Sequence, residues 1–223
     1  MEILYEDNHI IVVNKAAGEI VQGDKTGDEP LSDALKQYIK ERYHKPGNVF
    51  LGVVHRIDRP VSGVVLFART GKALARLNAL FASHDGVRKT YWAIVANRPT
   101  QEEATLVHYL TRNEKNNKAT AYDREVPRSK RAVLHYKLIA SSERYHLLEV
   151  TLLTGRHHQI RCQLAKIGSP IKGDLKYGAP RSNKDGSISL HARSMQLEHP
   201  VTHQTLSITA PVPNDNIWQA FAS

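Results

Sequence analysis

Cysteine is almost missing from this sequence: Cys162 is the only one among 223 residues. One thiol closes no intrachain disulfide, and it excludes a cysteine-based zinc site. No uninterrupted apolar run approaches the roughly 20 residues that cross a bilayer. The start, Met1–Asp7, lacks the basic then apolar pattern of a signal peptide, so a cytoplasmic place and no membrane partner are expected. Neither a Walker pattern nor Gly-x-Gly-x-x-Gly occurs, which leaves ATP and dinucleotides without an obvious seat. Gly-x-Ser-x-Gly is absent too, and with it the usual nucleophile elbow. Twelve histidines are present, but none falls in a His-Glu-x-x-His arrangement. His157 and His158 are adjacent, so on a helix they are expected to point different ways, while His199 and His203 flank Pro200 with no carboxylate cluster nearby. No metal and no cofactor are expected.

What the chain has in excess is positive charge. Lys and Arg number 31 against 22 Asp and Glu, a formal +9. Such an imbalance is the footprint of a polyanion binder. Apolar residues at 41% and charged residues at 24% are otherwise ordinary for a globular protein.

Periodicity predicts two short strands at Glu2–Tyr5 and His9–Asn14, then an amphipathic helix from Pro30 to near His44 carrying Leu31, Ala34, Leu35, Tyr38 and Ile39. Gly63–Ala68 reads as a buried strand. Thr70 is placed to cap a helix bearing Ala73, Leu74, Leu77, Leu80 and Phe81, which Gly86 ends. Arg88–Val95 alternates like a strand with one wet face. Residues 97–130 look least regular, with a short strand near Thr105–Leu110 and a lysine-bearing loop around Asn113–Lys118 that would serve as an RNA-contacting lobe or simply a solvated loop. Ala132–Ala140 and Tyr145–Leu153 suggest a hairpin, followed by a helix at about Arg156–Ile167. Strands near Ser187–Leu197 and Thr205–Thr209 and a terminal helix with Trp218 close the chain. Strands that arrive as neighbouring hairpins favour an α+β fold on a mixed, largely antiparallel sheet with flanking helices. No repeat, linker or composition break interrupts it, so residues 1–223 are expected to form a single domain.

Two constellations carry candidate chemistry. The first is Val54-His55-Arg56-Ile57-Asp58-Arg59-Pro60-Val61-Ser62-Gly63. It sets one carboxylate between two arginines, which favours the charged form, and ends in a turn before an apolar run. In an extended segment Arg56 and Asp58 share a face while Ile57 points into the body. A surface ion-pair cluster beside a turn would explain the same residues. The second is Thr154-Gly155-Arg156-His157-His158-Gln159-Ile160-Arg161. Helical spacing puts Ile160, Leu164 and Ile167 on a buried stripe with Arg161 at its edge. Arg156, His157 and His158 would crowd the first turn, where the helix dipole disfavours cations; a phosphate docked on the free N–H groups would relieve this. An exposed turn with a small penalty is the plain alternative.

Together these pieces closely resemble the RluA-type RNA pseudouridine synthases. The likeness runs from Asn14-Lys15 with Gly18, through His55-Arg56-Ile57-Asp58 with Ser62-Gly63, to Lys89-Thr90-Tyr91. It continues through Thr154-Gly155-Arg156, His158-Gln159-Ile160-Arg161 and Gly168-Ser169-Pro170-Ile171 to Gly173-Asp174 and Tyr177-Gly178. Ala16 stands where proline is usual, Val61 where threonine is frequent, and Gln163, where histidine is common, is placed to change how the cleft grips RNA. The resemblance implies the pseudouridine synthase catalytic fold without an extra N-terminal RNA-binding domain. It implies a cofactor-independent isomerisation of specific uridines in structured ribosomal or transfer RNA, by a monomer. It makes Asp58 the catalytic aspartate, acting as nucleophile at C1′ or base at C2′, and Arg161 the arginine that pairs with it. Tyr91 matches the active-site tyrosine, Ile160 a residue packing near the base, and Arg56 the arginine that replaces a flipped nucleotide. Arg59, Lys89 and Arg156 are candidate phosphate contacts.

Two other functions are compatible with parts of this pattern. A non-catalytic RNA-binding or RNA-chaperone module would explain the charge alone. A glycosidic hydrolase would use the acid, but such enzymes normally need two facing carboxylates, and none is obvious beside Asp58.

Overall fold

The computed structural model describes residues 1–83 and 86–222. In chain order its elements are β1 (Glu2–Glu6), β2 (Ile10–Lys15), α1 (Leu31–Arg42), β3 (Gly52–Val53), β4 (Ser62–Ala68) and α2 (Gly71–Ala82). Then come β5 (Val87–Val95), β6 (Glu103–Asn113), β7 (Lys118–Tyr122), β8 (Lys130–Ser141), β9 (His146–Leu152) and α3 (Gln159–Lys166). A single 3-10 turn at Leu175–Tyr177 precedes β10 (Leu190–Glu198), β11 (Thr205–Thr209) and α4 (Asn216–Ala222). The strand ladders are largely antiparallel, as the hairpin order implies. The chain forms two compact units, residues 1–87 with 192–213 and residues 88–191 with 214–223.

In the first unit the strand order is β1-β2-β4-β10, with β3 added on β4 and β11 on β10. The apolar runs of β2 and β4 are buried on both faces, and alternation sorts them. Ile10, Val12, Val64, Leu66 and Ala68 pack with Ala73 and Leu77 of α2. Ile11, Val13, Val65 and Phe67 pack with Leu31, Leu35 and Ile39 of α1. α2 begins where its sequence indicates: the Thr70 hydroxyl accepts from the Ala73 N–H at 3.1 Å. It ends at Ala82 with Ser83 as C-cap, before Gly86.

Gly63 fixes the start of β4. Its φ is +116°, and a Cβ there would lie 2.3 Å from the Ala192 carbonyl oxygen. Only glycine meets both demands, a left-handed backbone and a close strand approach.

In the second unit the order is β5-β9-β8-β6-β7. β8 and β9 form the hairpin expected from Ala132–Ala140 and Tyr145–Leu153. Residues 97–130 are more regular than their sequence suggests. β6 runs eleven residues, paired with β8 along one edge and β7 along the other. The loop expected around Asn113–Lys118 is a turn between those two residues, held by the Asn113 carboxamide, which accepts from Lys115 N–H at 3.0 Å. Asn117 supplies its positive φ of 49°. β6 alternates weakly because its outer face is wet, so polar side chains hide a ladder that backbone pairing sustains. α3 rests on these strands through Cys162, which shares a core with Leu110, Ala119, Ala132 and Tyr177.

Candidate active site

The Asp58 segment is an irregular connection between β3 and β4, anchored at both ends. The β3–β4 ladder covers only Gly52–Ala68 and Val53–Phe67. Beyond it the imidazole of His55 replaces backbone, its Nε2 accepting from the Leu66 N–H at 3.0 Å while the ring stacks on Phe81. The chain is thereby free to leave the sheet. Ile57 packs against the α1-side core as expected. Arg56 is exposed and Asp58 half-buried. Asp58 opens a tight turn: its carbonyl accepts from Val61 N–H at 3.0 Å, with Arg59 and Pro60 at the corner.

A buried ammonium braces this turn. Lys15 is fully buried, and its Nζ donates to the carbonyls of Ala16 at 2.9 Å, Glu19 at 2.8 Å and Arg59 at 3.1 Å. The Arg59 carbonyl also accepts from Gly18 N–H at 2.8 Å. Desolvation pulls the Lys15 pKa down to about 8, and the carboxylates of Glu19 and Asp58 only partly offset it. The Arg59 guanidinium is turned outward to Asp28, at 2.6 Å across an exposed pair. Any phosphate at Arg59 competes with that carboxylate.

In the second unit the chemistry gathers at α3. The helix starts at Gln159, three residues later than the spacing predicts, because His158 adopts a left-handed conformation, φ 51° and ψ 27°. Gln159 ties the preceding turn to β8. Its carboxamide oxygen accepts from Thr154 Oγ1 at 2.8 Å and Arg156 N–H at 2.9 Å, and its Nε2 donates to the Val133 carbonyl at 3.0 Å. The expected crowd of cations on the first helical turn therefore does not arise: Arg156 and His157 precede the helix, and the Arg156 N–H already has a partner. The Arg156 guanidinium donates from Nε to the Arg131 carbonyl at 3.1 Å.

The buried surface of α3 is wider than a stripe, since Gln159 through Leu164 are all buried and Ile167 only partly so. Within it Arg161, about 6% exposed along its side chain, forms a fork with Asp174: Nε to Oδ2 at 2.7 Å and Nη2 to Oδ1 at 2.9 Å. Its Nη1 lies 3.1 Å from His158 Nε2, and His158 Nδ1 lies 2.8 Å from the Tyr177 hydroxyl. The Tyr177 oxygen in turn accepts from Ala119 N–H at 2.8 Å. Burial first, and Arg161 next, push the His158 pKa down to about 2; burial raises Tyr177 to about 12.

The remaining expected residues of this unit lie on β5 and α3. Tyr91 is 9% exposed in β5, opposite Val150 of β9. Lys89 stands opposite Leu152, with its Nζ beside Gly155, and burial lowers its pKa. Ile160 is buried at 4% exposure. Gln163 corrects its expectation: fully buried, its Nε2 lies 2.9 Å from His108 Nδ1 and 3.3 Å from the Ala132 carbonyl, so it holds helix to sheet and does not face a cleft.

Sequence reasoning assigned no role to Lys15, His158, Asp174 or Tyr177, although each belongs to a recognised motif. A lysine closing the apolar run Ile10–Val13 was the available signal for the first. Nothing local announces the others: Asp174 meets Arg161 across 13 residues of sequence, and Tyr177 meets His158 across 19.

Comparison with known proteins identifies the family. The family described as RNA pseudouridylate synthase matches residues 9–166, which include Asp58, Tyr91 and Arg161. The chain is 33% identical over 225 residues to ribosomal large subunit pseudouridine synthase D of Zymomonas mobilis, covering 96% of this chain and 70% of that one. It is 32% identical over 244 residues to tRNA pseudouridine synthase C of Vibrio cholerae, covering 100% and 95%. The solved structure of human RNA pseudouridylate synthase domain containing 4 shares the fold, with TM-score 0.81 and 24% identity over 99% of this chain and 92% of that one. A family match over most of the chain, joined to full-length relatives at about one-third identity, places this protein among the RNA pseudouridylate synthases, in their RluA-type branch.

Proposed function

We propose that this enzyme converts specific uridines of structured ribosomal or transfer RNA to pseudouridine, with Asp58 as the catalytic carboxylate. The observation that carries the reading is the Asp58–Val61 turn: a half-buried carboxylate opens a turn whose next carbonyl is fastened by the buried Lys15 ammonium. A side chain that must meet one ribose carbon gains from such a fixed backbone. Asp58 attacks C1′ or takes a proton from C2′; either route breaks the C1′–N1 bond, turns the uracil and joins its C5 to the sugar. The base is retained, so no second substrate is consumed.

Tyr91 serves as the aromatic platform for the uracil, its hydroxyl available for hydrogen bonding. Arg161 acts as the arginine that pairs with the reacting carboxylate. Arg56 fills the space of the everted nucleotide, Ile160 packs near the base, and Arg59, Lys89 and Arg156 meet phosphates. We place residues 1–223 in one catalytic domain acting as a monomer in the cytoplasm. No described helix is long and apolar enough to cross a membrane.

The test is to incubate the purified protein with total RNA from a strain lacking it and to map pseudouridine. Wild type is expected to convert a small set of uridines, and Asp58→Asn none, with RNA affinity retained. Equal conversion by Asp58→Asn would remove Asp58 from the chemistry. Release of free uracil would identify a hydrolase.

A further inference from the structure

We infer that His158 is a positioning residue for Arg161, held as the neutral Nδ1–H tautomer in a hydrogen-bond relay that runs from the guanidinium to Tyr177. The inference rests on the proposal that Arg161 serves the reaction.

The relay follows from donor counting. A guanidinium has five N–H donors and no acceptor. Its Nη1, 3.1 Å from His158 Nε2, therefore requires a lone pair on that nitrogen. The imidazole proton must then sit on Nδ1, where it donates to the Tyr177 oxygen at 2.8 Å. That oxygen accepts a second bond from Ala119 N–H. The opposite tautomer would set two donors against each other at 3.1 Å, and an imidazolium would add a second positive charge beside Arg161. Desolvation and the guanidinium both oppose that charge, in keeping with the depressed His158 pKa.

The geometry of His158 is itself enforced. Its ring stacks on His157 at 3.8 Å between centroids and meets the Tyr177 ring edge-on at 5.6 Å. Its left-handed backbone is uncommon for a residue other than glycine, and is tolerated best by Asn, Asp and His. The consequence lies at Arg161. Asp174 takes the Nε and Nη2 edge, and His158 takes one hydrogen of Nη1. Those three bonds fix the guanidinium plane and hence the direction of the other two N–H groups. An arginine that acts by aim gains most from such support.

Nitrogen-15 NMR of the histidine ring reads the tautomer in the wild-type protein. A protonated Nδ1 and bare Nε2 at neutral pH are expected, with Nε2 perturbed in Arg161→Lys. Two variants separate positioning from packing. His158→Asn keeps the backbone preference but offers no acceptor to Nη1, whereas His158→Gln can present an amide oxygen near the Nε2 position. Loss of a hydrogen bond to a charged group corresponds to about a 10- to 100-fold fall in kcat for His158→Asn. RNA Kd should stay within about twofold, and His158→Gln should recover most of the loss. A protonated Nε2 would overturn the relay. Wild-type kcat in His158→Asn beside an inactive Arg161→Lys would overturn the positioning role alone. Wild-type conversion by Arg161→Lys would instead remove Arg161 from the reaction, whatever the tautomer proves to be.

Discussion

Arg161 and Asp174 face each other as a two-bond fork, at 2.7 and 2.9 Å, with side-chain exposures of 6% and 1%. Planar pairing of this kind is the strongest form of carboxylate recognition by arginine. Because water is excluded from both partners, the pair costs more to break than to replace.

Asp174→Ala is therefore expected to destabilise the protein by about 3–5 kcal/mol, since it removes both bonds of the fork from a buried guanidinium. Asp174→Asn, which retains an oxygen acceptor, should lose less. Urea denaturation of the variants checks both, and equal stability of wild type and Asp174→Ala would show that the pair is not a structural support.

The depressed pKa of His158 makes stability fall in mild acid. The unfolded chain takes up its proton as pH drops through about 6.5, while the folded chain refuses it down to about 2. Stability from this group is thus complete above about 6.5 and is lost below it. By pH 5 the loss is about 2 kcal/mol. Denaturation at pH 7 and pH 5 should show a smaller difference for His158→Asn than for wild type.

Lys15 sets an alkaline limit. Its ammonium has three donors for three carbonyls, so the neutral amine formed as pH rises through about 8 must abandon one. Loosening the Arg59 carbonyl loosens the Asp58 turn. The pH–rate profile is expected to carry a falling limb near pH 8, absent from a slower Lys15→Met variant. An unchanged limb in that variant would assign it to another group.

Gly63→Ala should fail where most surface changes succeed. A methyl group at φ +116° and 2.3 Å from the Ala192 carbonyl has nowhere to go. A cost of about 3 kcal/mol or more is expected, because strained backbone and overpacking add. Yield of soluble protein and thermal unfolding report it.

How much of this was legible in sequence varied with the physics involved. The two-faced burial of Ile10–Val13 and Val64–Ala68 is written in apolar runs, and Thr70 announces its helix by local capping. β6 extends beyond the strand expected near Thr105–Leu110, and β7 has no counterpart in the sequence reading, because water-facing polar residues give no signal of ladders formed with strands elsewhere in the chain. α3 starts later than its spacing indicates because His158 is left-handed, a conformation that helical periodicity does not register. Motif order identified Asp58, Tyr91 and Arg161 as candidates, yet the partners of Arg161 within its own unit were invisible.

The sequence by itself determined the charge and the core strands, because these depend on composition and short-range periodicity, while its ordered motifs carried the resemblance that pointed to the family and to the residues worth suspecting. The tertiary structure decided which groups are spoken for: Lys15 by three carbonyls, Arg161 by Asp174 and His158, Gln163 by the strands beneath it. Hydrogen bonds between distant residues follow chain topology, and a buried polar group must find its partner wherever the fold brings one.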